Sequence, residues 1–365
     1  MKTTYLLLCL LGIGSVSGAG QTKQPQKIGD FIESTSYNEH RRNATRSLQY
    51  TPDGDDFVCI NGKNRFTRAL YGSHTAFRLE TSDRPVFAAY TKENPKHICF
   101  KLQTSGGTVA LDSTEHCESR YTAGRRSYSL SDPAFGGGSL SITTWALPDK
   151  EGAIWQFNAR NFKEFHPVLL ASISEIRNSK LNRNGDMGAD PADSFEAPLQ
   201  PQQLQSFPVQ IDGTLYILLE NQELRTLTTA EGENLFKKAE AARSETASRI
   251  RIETPDPYFN TLGGTLAMAA DGIWDGEVWL HGAIGWRMPL SGWRAAYTGD
   301  VLGWHDRART HFNAYAASQV TEVPNTLPHP AQDSALHLAR SVKKWGTPQY
   351  SNGYICRNPH RNNQM

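Results

Sequence analysis

The chain has 365 residues, room for two domains or for one large one. Its 38% hydrophobic and 21% charged residues exclude a disordered polypeptide. Lys+Arg 38 against Asp+Glu 37 excludes the basic footprint of a nucleic-acid or anionic-membrane binder.

Met1-Lys2 is followed by an apolar run over residues 5–13 and small residues over 14–20. That order predicts a secretory signal peptide, residues 1–20, and export, with the periplasm as the expected destination. The run is shorter than the ~20 residues a membrane span requires, so no membrane partner is expected after cleavage. Cys59, Cys99, Cys117 and Cys356 remain in the mature chain. Cys99 and Cys117 fall in neighbouring strand-like segments and are the natural pair for oxidation, with buried free thiols as the alternative. No Cys-x-x-Cys spacing supports zinc.

From residue 57 to about 219 the pattern is short strands broken by turns. Strands are predicted over 57–60, 66–71, 77–79, 86–90, 97–102, 108–111, 126–130, 140–146, 153–158, 169–176 and 214–219. Asn61-Gly62, between the first two, reads as a tight hairpin turn. Many strands without intervening helices predict an antiparallel β-sandwich, residues 21–229, and exclude a Rossmann or TIM-barrel fold. The Asn/Asp/Gly/Pro-rich segment 178–208 half-resembles a calcium loop at Asn182 to Asp186. Lys180 and Pro191 stand where ligands belong, so no metal is expected, and no cofactor.

The period then changes. Leu235, Ala239, Ala242, Thr246 and Ile250 form one stripe of a helix over 230–250, read as a linker, residues 230–252. Further helices are predicted over 258–273, about 300–320, and 333–345.

Five of the eight tryptophans fall between residues 274 and 307, interleaved with charge. Asp275, Glu277 and Asp300 are candidate catalytic carboxylates. Trp286, Arg287, Trp293, Arg294, Tyr297, Trp304, His305, Asp306 and His281 are candidate substrate contacts. Sugar rings stack apolar faces on indole, while their hydroxyls take bonds from Asp, Glu and Arg. Glycosidic cleavage needs one carboxylic acid for the leaving oxygen and a second carboxylate for water or attack. Tryptophans between helices also serve as ordinary core, and Arg–Asp pairs as structural bridges. Interleaving charges this densely with indoles is what weighs toward a site.

The order of β-sandwich, linker helix and paired helices resembles the six-hairpin glycosidase superfamily, in which a supersandwich precedes an (α/α)6 toroid. The run from Pro289 to Asp300, with Gly303-Trp304-His305-Asp306, resembles the first inter-helix loop of such toroids. Leu181 to Asp190 and Ser291 to Arg307 are similar to an uncharacterised bacterial family, domain of unknown function 4450. A Gly-Trp and a downstream Gly-Asp distantly resemble the general-acid loop of α-L-rhamnosidases, at altered spacing. The resemblance implies an exported glycoside hydrolase acting on an oligo- or polysaccharide, inversion favoured, with Asp300 as first candidate acid. Residues 253–365 are too few for a closed toroid, so a truncated member, the N-terminal part of a hydrolase with little activity of its own, is expected. The alternatives are a non-catalytic carbohydrate-binding or scaffold protein, and a uronic-sugar lyase or epimerase using Tyr297, His281 and Arg294.

Overall fold

The computed structural model describes residues 50–317, apart from 64–67, 73, 75, 92–94, 149, 163–166, 177–193, 196–203, 210–212 and 284–291. Of 292–295 it describes the backbone alone. The signal-peptide segment, the calcium-like run, Cys356 and the helix expected over 333–345 lie outside the described residues.

Two antiparallel sheets face each other. One has the order β1 (Thr51–Asp53), β2 (Asp56–Ile60), β8 (His116–Thr122), β9 (Arg125–Ser131), β10 (Ser139–Ala146), β11 (Gly152–Arg160), β14 (Thr214–Glu220), β15 (Glu223–Leu227). The other runs β13 (Leu204–Pro208), β12 (Val168–Glu175), β6 (Lys96–Thr104), β5 (Val86–Tyr90), β4 (Phe77–Thr81), β3 (Arg68–Gly72). The short β7 (Gly107–Ala110) folds back on β6. Alternation supplies the core: Phe77, Leu79, Phe87 and Phe100 from one sheet meet Tyr128, Trp155 and Phe157 from the other. Phe87 meets Trp155 edge-on at 5.4 Å, and Phe100 meets Phe157 at 5.0 Å. Each fully buried Phe or Leu contributes about 1.5–3 kcal/mol, so this layer dominates the stability of the sandwich.

The Asn61-Gly62 hairpin is corrected by the structure. Asn61 does take a positive φ of 49°, yet β2 pairs with β1 and β8, while β3 belongs to the other sheet. Asn61 exchanges bonds with Cys117 instead: its N–H donates to the Cys117 carbonyl, and its Oδ1 accepts from the Cys117 amide, both at 2.8 Å. Asn61-Gly62 therefore turns the chain from one sheet toward the other. Gly62 is pressed on Asp83, whose carboxyl carbon would lie 2.3 Å from an added Cβ.

The cysteines at 59, 99 and 117 are free. Cys99 sits in the second sheet, bonded to the Ser172 hydroxyl at 2.9 Å, and Cys117 sits in the first. Burial pushes the Cys117 thiol up to about 12, so it stays protonated and unreactive.

Helix α1 (Thr229–Ala247) starts at a capping box, with Thr228 and Glu231 bonding each other's backbone amides. It lies on the outer face of the first sheet, where Leu235, Phe236 and Ala239 pack against Trp145, Ile154 and Tyr216. The helix expected over 258–273 is two pieces, α2 (Pro257–Asn260) and α3 (Leu262–Gly272). The helix expected from Asp300 onward is also two, α4 (Gly292–Val301) and α5 (His305–Ala316). Gly303 breaks it with a φ of 76°. Its N–H returns to the Asp300 carbonyl, and that of Trp304 to Gly299, a Schellman stop that satisfies the orphan carbonyls. Asp300 thus ends one helix rather than opening another. The described helices do not form a closed toroid, and none is long and apolar enough to cross a membrane.

Candidate functional site

The Trp-rich segment builds the core of the helical layer. Asp275-Gly276-Glu277-Val278 is a tight turn: Gly276 has a φ of 100°, and Asp275 Oδ1 accepts from the amides of Glu277 (2.9 Å) and Val278 (2.7 Å). That turn pairs Trp274 with Trp279, their ring centres 4.5 Å apart. Both indoles are buried with Ala267, Leu302 and Trp304. Trp279 Nε1 donates to the Ala270 carbonyl at 3.1 Å. Gly299 lies under the Trp279 ring, where an added Cβ would fall 2.0 Å from the indole.

Trp304 is 7% exposed and carries two guanidiniums, Arg307 at 4.4 Å and Arg249 at 5.0 Å from its ring centre. Arg307 also bridges to the buried Asp271 at 2.7 Å, and Arg249 donates to the Leu302 carbonyl at 3.1 Å. These contacts fasten α1 and α3 to the α4–α5 corner. His311, fully buried, accepts the Trp279 amide on Nδ1 at 3.1 Å. Its ring proton therefore sits on Nε2. His311 was not anticipated, although Trp304, Ala308, His311 and Tyr315 fall at helical spacing and are all buried.

The exposed chemistry lies above this core. Asp300, at the end of α4, meets His305, at the start of α5, with Oδ1 and Nδ1 2.5 Å apart. The side chains are 63% and 68% exposed. The pairing fixes the imidazole by Nδ1 and leaves Nε2 without a protein partner among the described residues. Tyr297 is exposed one turn before Asp300 on the same face of α4. Asp306 is exposed beside them, in an i,i+3 pair with Arg309 at 3.0 Å. His281 and Glu277 are exposed on the loop that follows α3. Trp286 and Arg287 lie outside the described residues, and the side chains of Trp293 and Arg294 are not described.

Residues 95–249 match the family model described as Domain of unknown function (DUF4450). The match runs from β6 through α1, so it takes in the segment Leu181 to Asp190 but not the Trp-rich segment. No curated protein matches the chain.

A second polar cluster lies on the outer face of the second sheet, and sequence patterning missed it. In β4 and β5 every residue is buried, so both faces are covered. The outer face carries Arg78, Glu80, Tyr90 and His97. Arg78 bridges to Glu80 at 2.9 Å and lies over the Tyr90 ring at 5.3 Å. The Tyr90 hydroxyl bonds Ser194 at 2.8 Å, and Phe195 and Ala283 pack beside it. Burial drives the His97 pKa down. The signal available was the period: Phe-Arg-Leu-Glu-Thr reads as a half-exposed strand, and only tertiary cover reverses that. Among the described residues no three His, Cys, Asp or Glu side chains gather as a metal site.

Proposed function

We propose that this chain is an exported carbohydrate-processing protein of the glycoside-hydrolase type, with Asp300 and His305 as its proton-transferring pair. The single observation that carries this reading is the 2.5 Å contact between them, made by two successive helices and held open to solvent. The corner that aligns them is fixed by Gly303 and by Trp304 beneath. A carboxylate that orients an imidazole by one nitrogen frees the other to give or take a proton. In hydrolysis His305 Nε2 would protonate the leaving oxygen, with Asp300 stabilising the charged ring. Tyr297 and Asp306 stand where they can contact sugar hydroxyls. The superfamily resemblance adds that the second carboxylate of such enzymes comes from a later helical hairpin.

The test is hydrolysis of a panel of oligosaccharides by the purified protein, read as new reducing ends, alongside Asp300→Asn and His305→Gln. Proton transfer by one positioned group is worth about 10²–10⁴-fold, so both variants should fall to background while still binding. The alternative is a non-catalytic carbohydrate-binding protein, and the geometry narrows both readings to the exposed residues. Asp275 is occupied by two backbone amides, and Trp274, Trp279 and Trp304 are buried. Saccharide binding without hydrolysis, unaffected by either variant, would select that alternative.

A further inference from the structure

Leu302, Gly303 and Trp304 are the last residues before His305 in the corner that joins it to Asp300. All three meet one side chain from another part of the chain. Arg249 Nη1 donates to the Leu302 carbonyl at 3.1 Å. The same nitrogen stands 3.6 Å from where a Cβ on Gly303 would lie. The guanidinium carbon is 5.0 Å from the centre of the Trp304 ring. Arg249 comes from the turn that ends α1, where its N–H donates to the Thr246 carbonyl at 3.2 Å. Glu245, one turn back, draws the guanidinium at 3.9 Å. Helix α1 is itself seated on the sandwich through Leu235, Phe236 and Ala239, and through Glu240 on Trp145. Ile250, the next residue, packs among the buried tryptophans with Trp304.

The Asp300–His305 contact is exposed, and an exposed pair has little strength of its own with which to hold two helices in place. Its geometry is therefore set by the backbone between them. Gly303, with its φ of 76°, is the natural pivot of that backbone. A planar guanidinium that engages the carbonyl before the pivot and the indole after it removes the freedom glycine leaves. We infer that Arg249 is a positioning residue for the Asp300–His305 pair, and that the sandwich sets the pair through α1. The effect on the imidazole follows from the corner alone. The effect on turnover rests on the proposed function.

The test follows the His305 imidazole in the whole mature chain by nitrogen NMR at alkaline pH. Held on Asp300 by Nδ1, the neutral ring keeps its proton there; released, it moves the proton to Nε2, the form favoured in water. In Arg249→Met, which keeps an apolar stem and removes the donors, the ratio of the Nδ1–H to the Nε2–H form should fall roughly threefold or more. Arg249→Gln, too short to reach the Leu302 carbonyl, should do the same and serves should Arg249→Met fail to fold. Arg251→Met, at an arginine that is 79% exposed, should leave the ratio as in the wild type. Hydrolysis of the oligosaccharide panel should lose roughly 10–100-fold in kcat in Arg249→Met, with KM little changed. The inference is overturned if folded Arg249→Met or Arg249→Gln keeps the wild-type ratio, or if Arg251→Met lowers it as far. A ratio that falls in a protein whose wild type hydrolyses nothing would keep the positioning role and remove the proposed function.

Discussion

Gly299 shows how one missing side chain sets the helical layer. The Trp279 ring occupies the space a Cβ would need, at 2.0 Å, so even alanine must displace an indole or shift α4. Gly299→Ala should cost about 1–3 kcal/mol, the usual range for overpacking, despite its gain in helix propensity. Thermal unfolding with Trp fluorescence would report it, and an unchanged or raised Tm would contradict the packing described. His97 gives a pH dependence with a definite sign. Its folded pKa is lowered, chiefly by burial, so the unfolded chain binds a proton that the folded chain resists. Stability from this group is complete above the unfolded value of about 6.5 and is lost as pH falls from there toward the folded value. Denaturant midpoints at pH 7.5 and 5.5 should differ in that direction, and His97→Gln should reduce the difference. At this scale the sequence singled out Asp300 and His305 within the 274–307 segment, and the structure places both at the surface. It could not show that Trp304 is a core residue, because its burial depends on Ala267, Trp274 and Trp279 packing on it from elsewhere in the chain.

Helix α1 is held to the sandwich through one carboxylate. Glu240 accepts from Trp145 Nε1 at 2.8 Å and from Arg243 at 2.6 Å, and meets Arg125 at 3.2 Å. Burial pushes its pKa up, but the bonds from Arg243 and Trp145 and the two guanidinium charges prevail and hold it below the usual value. The contribution is present above the unfolded Glu pKa and lost as pH falls through the folded one, well below the His97 window. Glu240→Ala should destabilise by about 1–3 kcal/mol, since it strands the indole N–H, and Glu240→Gln should cost less. Equal unfolding midpoints for wild type and Glu240→Ala would show that the helix is anchored otherwise. The stripe Leu235, Ala239, Ala242 was legible as an amphipathic helix because its period survives any context. Strand β8 was legible only as a strand-like setting for Cys117, without bounds, because His-Cys-Glu-Ser-Arg-Tyr-Thr looks polar until Cys117, Ser119 and Tyr121 are seen to point inward. The β14–β15 hairpin was hidden differently: Asn221 and Gln222 take positive φ values of 51° and 64° without a glycine to announce the turn.

The molecule as described is two facing antiparallel sheets with helices on the first sheet's outer face and at the edge of the second. The class was readable from strand density and turn spacing alone. Which strands pair was not, since Asn61-Gly62 obeys local hairpin rules and is overruled by the register of β2 with β8. The loop after Trp279 connects the two regions of interest, because Ala283 reaches the cluster formed by Val86, Ala88, Tyr90 and Phe195 on the outer sheet face. Coupling of helical layer and sandwich is thus built into the packing. The central claim is that the α4–α5 corner presents a proton-transferring pair to a saccharide. It is tested most directly by measuring reducing ends released from an oligosaccharide panel by the wild type and by Asp300→Asn, with binding followed in parallel. Release that drops to background in Asp300→Asn, with binding kept, is the result predicted. Release that survives Asp300→Asn unchanged would contradict it.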